Sequence, residues 1–280
     1  MSPQKSSHPH QRSHKEFLIG LARAGGGALL FGLPLFMTME MWWLGFSMPR
    51  LQLILLLLVN FPFLVGLSHY SGFEKTEGLL DDVLSAFVAY GVGILTAALS
   101  LSLLAIITPQ MPLSEIMSKI ALQAIAGSIG ALLARTQLGA QSNREKREKR
   151  SHYFGELFIM LVGAIFVGLN LAPTEEIILI SFQMSAGHAL LLILVSLLLM
   201  HAFVYSIGFK GQETIAEGIS LWQVFLRFTI VGYAIAWLTS LFILWTFGRT
   251  EGLGLAPLII MSVVLGFPNA LGAAAARLIL

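Results

Sequence analysis

Two short acidic motifs in an otherwise apolar chain carry the residue types best suited to chemistry. Thr38-Met39-Glu40 follows the run Gly27-Ala28-Leu29-Leu30-Phe31-Gly32-Leu33-Pro34, and Thr174-Glu175-Glu176 follows Gly163 to Pro173. Laid over each other, Gly27 meets Gly163, Gly32 meets Gly168, Thr38 meets Thr174 and Glu40 meets Glu176. A carboxylate in hydrocarbon costs roughly 3 kcal/mol on insertion scales, and an apolar bundle needs none to fold. Pro34 removes a backbone donor and predicts a kink. Pro173 and the acids after it read as the first turn of a half-helix. Broken helices whose freed carbonyls join side chains around an ion are a recurring transporter device. The ligand set here is oxygen only, which suits a proton, sodium or another hard cation better than a soft metal. The candidate ion or substrate ligands are therefore Glu40, Thr38, Asn170, Thr174, Glu175 and Glu176, with Pro34 and Pro173 as helix breaks. The competing reading is plainer: Glu175 and Glu176 cap a helix at a solvated loop, and Glu40 snorkels beside Trp42 and Trp43.

Composition sets the surroundings of these groups. The chain is 56% hydrophobic and 11% charged, with a mean hydropathy of +0.80, where a soluble domain carries about a quarter charged residues. This predicts an all-α, polytopic membrane protein. Its 280 residues hold about eight spans of roughly 20 residues each. The expected spans run over residues 17–46, 51–70, 83–107, 113–135, 153–173, 178–207, 221–247 and 255–280. With no cysteine, disulfides and thiolate metal sites are excluded. No cofactor or metal centre is expected.

The acidic motif is part of a longer internal match. Gly72-Phe73 matches Gly208-Phe209. Val83, Phe87, Gly91 and Ile94 match Val224, Phe228, Gly232 and Ile235, and Gly130, Ala134 and Arg135 match Gly272, Ala276 and Arg277. The expected organisation is a cytoplasmic tail over 1–16, a four-helix repeat over 17–136, a basic linker over 137–152 and a second repeat over 153–280. Four spans per half is an even number, so both repeats start on one side and are parallel, related by an axis along the membrane normal. The linker holds Arg144, Lys146, Arg147, Lys149 and Arg150, which the positive-inside rule assigns to the cytoplasm together with both termini. These five bases suit anionic lipid headgroups. Nothing about them suggests nucleic acid, since no aromatic residues interleave them.

Other polar residues carry weaker signals. His188 and His201 fit interhelical hydrogen bonds or a proton relay. Asn60, Asn170 and Asn269 lie near Pro62, Pro173 and Pro268 and can satisfy backbone groups that the prolines free. Arg227 reads as an interfacial side chain or a partner for Glu156. Zinc-protease, phosphate-loop and nucleophile-elbow signatures are absent, so no enzyme activity is expected.

The segment Gly168-Leu169-Asn170-Leu171-Ala172-Pro173-Thr174-Glu175-Glu176-Ile177 resembles the signature of a family of bacterial integral membrane proteins of unknown function. The resemblance implies a multi-pass inner-membrane protein and no particular activity. It places the emphasis on Asn170, Pro173, Thr174, Glu175 and Glu176. The first half departs from it, with Pro34 where the second has Asn170 and Met39 where it has Glu175. Together these features predict a small-solute or cation transporter, with proton coupling as one form, using paired carboxylates at the repeat interface. The alternative is a non-transporting assembly or sensory subunit.

Overall fold

The computed structural model describes residues 14–71, 78–137, 153–205 and 221–279. The helices in chain order are α1 (His14–Phe36), α2 (Met39–Ser47), α3 (Arg50–Ser71), α4 (Leu79–Leu103), α5 (Leu113–Gln137), α6 (Tyr153–Leu171), α7 (Glu175–Gln183) and α8 (Ala186–Tyr205). They are followed by α9 (Leu221–Val224), which passes through a π-helical turn (Phe225–Ile230) into α10 (Val231–Thr246), and by α11 (Leu255–Ile279). No strand occurs among the described residues. Eight helical segments are long and apolar enough to cross a membrane. The protein is thus an all-helical, polytopic membrane protein, as lipid requires, because a helix satisfies its own backbone where no water can.

The breaks fall in different places from those expected. The first span ends at Phe36 rather than Phe46, and the sixth begins at Ala186 rather than Ile178. Between them stand two separate helices of 9 residues each, α2 and α7, the second beginning 136 residues after the first. The reason is length. Leu18–Phe36 has 19 residues, a rise of about 28 Å, which fills the hydrocarbon core of about 30 Å. The chain then turns through an extended residue, Thr38 at φ −92° and ψ 118° in one half and Thr174 at φ −72° and ψ 147° in the other.

Small residues set the packing. A Cβ on Gly27 would lie 2.0 Å from Ala134 Cβ and 2.4 Å from the Gly130 carbonyl oxygen. A Cβ on Gly163 would lie 2.6 Å from Ala276 Cβ and 2.2 Å from the Gly272 carbonyl oxygen. The same stations therefore meet in both halves, drawing α1 onto α5 and α6 onto α11, the close approach that glycine permits between membrane helices. The halves join through α3 and α6, where Phe63 and Tyr70 pack on Phe158 at 5.6 and 5.1 Å, and through Phe31 edge-on to Phe166 at 5.0 Å.

The turns after α4 and α10 also correspond. Ile106 N–H bonds the Leu101 carbonyl at 2.9 Å, and Arg249 N–H bonds the Leu244 carbonyl at 2.9 Å. Each turn has a left-handed residue, Ala105 at φ 56° and Gly248 at φ 70°. This is the six-to-one closure that ends many helices, with glycine the favoured residue at the left-handed position. Ala105 and Gly248 are 143 residues apart, whereas Val83 and Val224 are 141 apart. The sequence matches inside α4 therefore do not share the register of the turn.

One face of the bundle carries both breaks and these two turns, and is called the break face below. The opposite face carries the ends of α3 and α11 and the starts of α4 and α6, tied by Ser68 to Asp82 and by Arg277 to Glu156. Most of the N-terminal tail, Gly72-Phe73, Gly208-Phe209 and the basic linker with Arg144, Lys146, Arg147, Lys149 and Arg150 lie outside the described residues.

Candidate functional site

At the first break each carbonyl of the last turn of α1 already has a donor. Leu33 accepts from Met37 N–H (3.1 Å), Leu35 from Thr38 N–H (3.2 Å), and Phe36 from the Trp42 indole N–H (2.7 Å). The Pro34 carbonyl accepts from the Thr38 hydroxyl. At the second break the Thr174 hydroxyl donates to Leu171 (2.8 Å) and the Arg249 guanidinium to the Pro173 carbonyl. Both threonines therefore close the helix before them instead of capping the one after, and neither makes a side-chain cap bond to α2 or α7.

The carboxylates sit in the first turns of the short helices, where the dipole favours them. Glu40 is half-buried, while Glu175 and Glu176 are exposed. None of the three has an ion pair or hydrogen bond among the described residues. Each short helix packs on the last helix of its own half, α2 on α5 and α7 on α11. Asn170 spends its amide N–H on Phe166 in its own helix (2.7 Å), which leaves its buried Oδ1 without a partner. No group of three or more metal-binding side chains occurs among the described residues.

A polar row on α5 lies beside the first break; the four-residue spacing of Glu115 and Lys119 predicts a helix-surface pair, whereas Lys119 is buried. Glu115, Lys119 and Gln123 are four residues apart and so share one helix face. Lys119 is buried and pairs with Glu115 at 2.6 Å. It lies directly under α2, since a Cβ on Gly45 would sit 2.7 Å from Lys119 Cγ. Gln123 is fully buried, and neither its Nε2 nor its Oε1 has a partner. The four-residue spacing of Glu115 and Lys119 is visible in the sequence. One more step of four residues reaches Gln123.

Other polar groups are paired. Asn60 donates to Ser128 Oγ (3.1 Å). Asn269 donates to Ser240 Oγ (2.9 Å), and its Oδ1 has no partner. Buried Asp82 accepts from Ser68 (2.8 Å) and faces His69 Nδ1 (3.1 Å). His188 Nδ1 meets Ser185 Oγ at 2.8 Å, at the start of its own helix. His201 Nδ1 does cross helices, meeting Thr229 Oγ1 in the π-helical turn at 2.9 Å. Glu156 pairs with Arg277 (2.7 Å), not with Arg227, whose guanidinium stacks on Tyr153 at 4.5 Å. Arg277 lies 121 residues from Glu156 in the chain, so spacing gave no hint of it.

A family model described as "Putative integral membrane protein (DUF2391)" matches residues 20–280. No curated protein and no solved structure matches the chain.

Proposed function

We propose, from the premise that this chain belongs to the DUF2391 family of integral membrane proteins, that it carries a small solute or cation across the bilayer, with proton coupling as one form. The observation that carries this reading is the repeated station of Thr38 with Glu40 and of Thr174 with Glu176, each at the break of its own half. Glu40 and Glu176 are the charge-bearing groups, with Glu175 next to Glu176 in the chain and Asn170 close to the second break. Their role is to concentrate cations or protons at the breaks. The linker bases and the positive-inside rule support an orientation with both termini in the cytoplasm, in a bacterial inner membrane. The common glycine contacts support an origin by doubling of a four-span unit.

The test is flux of sodium, potassium and protons in vesicles holding the purified full chain. Wild type should exceed protein-free vesicles, and Glu40→Gln or Glu176→Gln should lower the increment. Equal flux in wild type and both variants sinks the carboxylate role, and no increment for any solute sinks transport. A second reading, a non-transporting assembly or sensory subunit, is favoured by the exposure of Glu175 and Glu176 and of the apolar side chains Trp43, Phe46 and Phe182. It predicts no flux.

A further inference from the structure

On the face opposite the breaks, the second half holds a cation that no described acid answers. Arg227 stands exposed in the π-helical turn, and its guanidinium makes no ion pair or hydrogen bond among the described residues. Glu156, the acid of this corner, is committed to Arg277 at 2.7 Å. The guanidinium is nevertheless held in place. It lies 4.5 Å over the Tyr153 ring and 5.9 Å from the Phe228 ring. The Tyr153 hydroxyl donates to the Arg227 carbonyl at 3.0 Å, which pins the ring to the turn. Arg277 stands 4.1 Å over the same Phe228 ring, so two guanidiniums and one carboxylate share this corner. Stacking uses the face of a guanidinium and leaves its N–H edges directed outward.

The surroundings suit a lipid. The span Trp222–Thr246 has 25 residues, a rise of about 37 Å, against a hydrocarbon core of about 30 Å. Its ends therefore reach the headgroups, and Arg227, five residues on from Trp222, sits at the boundary. Beside it Phe154 is 73% exposed, Trp222 66% and Leu226 46%. The Phe154 ring adjoins Tyr153 at 5.8 Å, and Trp222 stacks on Phe225 at 5.6 Å. Aromatic side chains at this level belong to the membrane interface. Two internal controls set this arginine apart. In the first half, the positions 141 residues before Trp222, Gln223 and Arg227 hold Asp81, Asp82 and a buried Ala86, which offer an anion nothing. Arg23, near the start of α1, is also exposed but has no ring contact among the described residues. An arginine that only snorkels to water needs no platform.

We propose that Arg227, on the platform of Tyr153 and Phe228, binds the phosphate of an anionic phospholipid of the surrounding bilayer. The guanidinium donates N–H bonds to two phosphate oxygens, the fork arrangement that arginine favours. The acyl chains lie against the exposed apolar side chains, Phe154, Trp222 and Leu226. Charge selects the headgroup. Arg227 and Arg277 outweigh Glu156, so a glycerol headgroup with its full negative charge is favoured over one that adds a quaternary ammonium. This site is at the end of the bundle away from the carboxylates and does not depend on the transport reading.

The full chain in detergent is followed by native mass spectrometry with phosphatidylglycerol or phosphatidylcholine added at equal concentration. Wild type should retain one phosphatidylglycerol about tenfold better than phosphatidylcholine, the scale of a hydrogen bond to a charged group. Arg227→Gln should remove most of that preference, and Tyr153→Leu, which takes away the platform, should lower it less. Arg23→Gln should leave it unchanged. The linker bases are present in every variant, so their general attraction for anionic lipid cancels. Should Arg227→Gln not fold, as judged by circular dichroism and elution, Arg227→Lys keeps the charge without the fork and should give a partial loss. An unchanged preference in Arg227→Gln, or in Arg227→Lys where that is the variant read, overturns the site. So does an equal loss in Arg23→Gln. Displacement of the lipid by inorganic phosphate assigns the arginine to a soluble anion and overturns the lipid. A dimer in wild type that becomes a monomer in Arg227→Gln assigns the corner to a second copy of the chain and overturns it too. Each of these outcomes is separate from flux, so the transport reading stands or falls on its own test.

Discussion

The two halves of this protein share a scaffold and differ in what they bury. In both, a long helix stops where the hydrocarbon ends, a nine-residue helix follows, and glycine at the same station draws the first helix onto the last. The polar content does not follow this pattern. The first half buries Lys119 with Glu115 and an unpaired Gln123 near the break face, and Asp82 with Ser68 and His69 at the opposite face. The second half buries an arginine–glutamate pair at the opposite face and holds its break with Arg249. Backbone approach is set by small residues that both halves keep. Buried charge is set residue by residue, and the halves differ in it.

The comparison can be broken first at its most asymmetric point. Arg277→Met should cost about 3–5 kcal/mol, the usual result of leaving one buried partner unpaired. Glu156→Gln together with Arg277→Met should recover much of this, as read by thermal unfolding in detergent. The first half has Gly20 at the station of Glu156, so its stability cannot depend on such a pair. If Arg277→Met unfolds at the wild-type temperature, the pair is not a difference that matters.

Next come the shared contacts. Gly27→Leu and Gly163→Leu should each destabilise by about 3 kcal/mol or more through overpacking, because backbone atoms stand where the new Cβ must go. Similar losses in both would sharpen the equivalence of the halves. A loss in only one would break it.

The left-handed turns give a smaller effect of opposite sign. Gly248→Ala should destabilise by about 1 kcal/mol, and Ala105→Gly should stabilise by somewhat less, because an added Cβ is disfavoured at positive φ while glycine loses more chain entropy on folding. The smallest effect is at the breaks. Thr38→Val and Thr174→Val should each cost about 1 kcal/mol, one neutral hydrogen bond to a carbonyl. Unequal losses would mark the half whose break is held by other donors, Trp42 in the first and Arg249 in the second.

Much of the scaffold was legible in the chain, and much of the site was not. The eight apolar stretches, the prolines and the matched glycines are local signals. Thr38, Glu40, Thr174 and Glu176 could be located because they interrupt apolar runs at equal spacing. Their surroundings could not be. Whether a threonine hydroxyl turns back to a carbonyl or forward to an ion depends on the direction of the next helix. Gln123 gives no signal in the chain, because one amide in an apolar helix reads the same whether its neighbours can answer it or not. His188 fits a bond between helices by its sequence, yet its ring nitrogen meets a serine three residues away.

The sequence by itself determined that this chain must live in lipid as a set of helices, because hydropathy and the cost of an unpaired backbone leave no other form. It also determined which small residues recur. The tertiary structure alone decided that the acids stand in the first turns of short helices, that Glu156 finds Arg277 across the whole second half, and that Gln123 is enclosed with nothing to bond. These depend on which helix faces meet, and a face is filled by residues far apart in the chain.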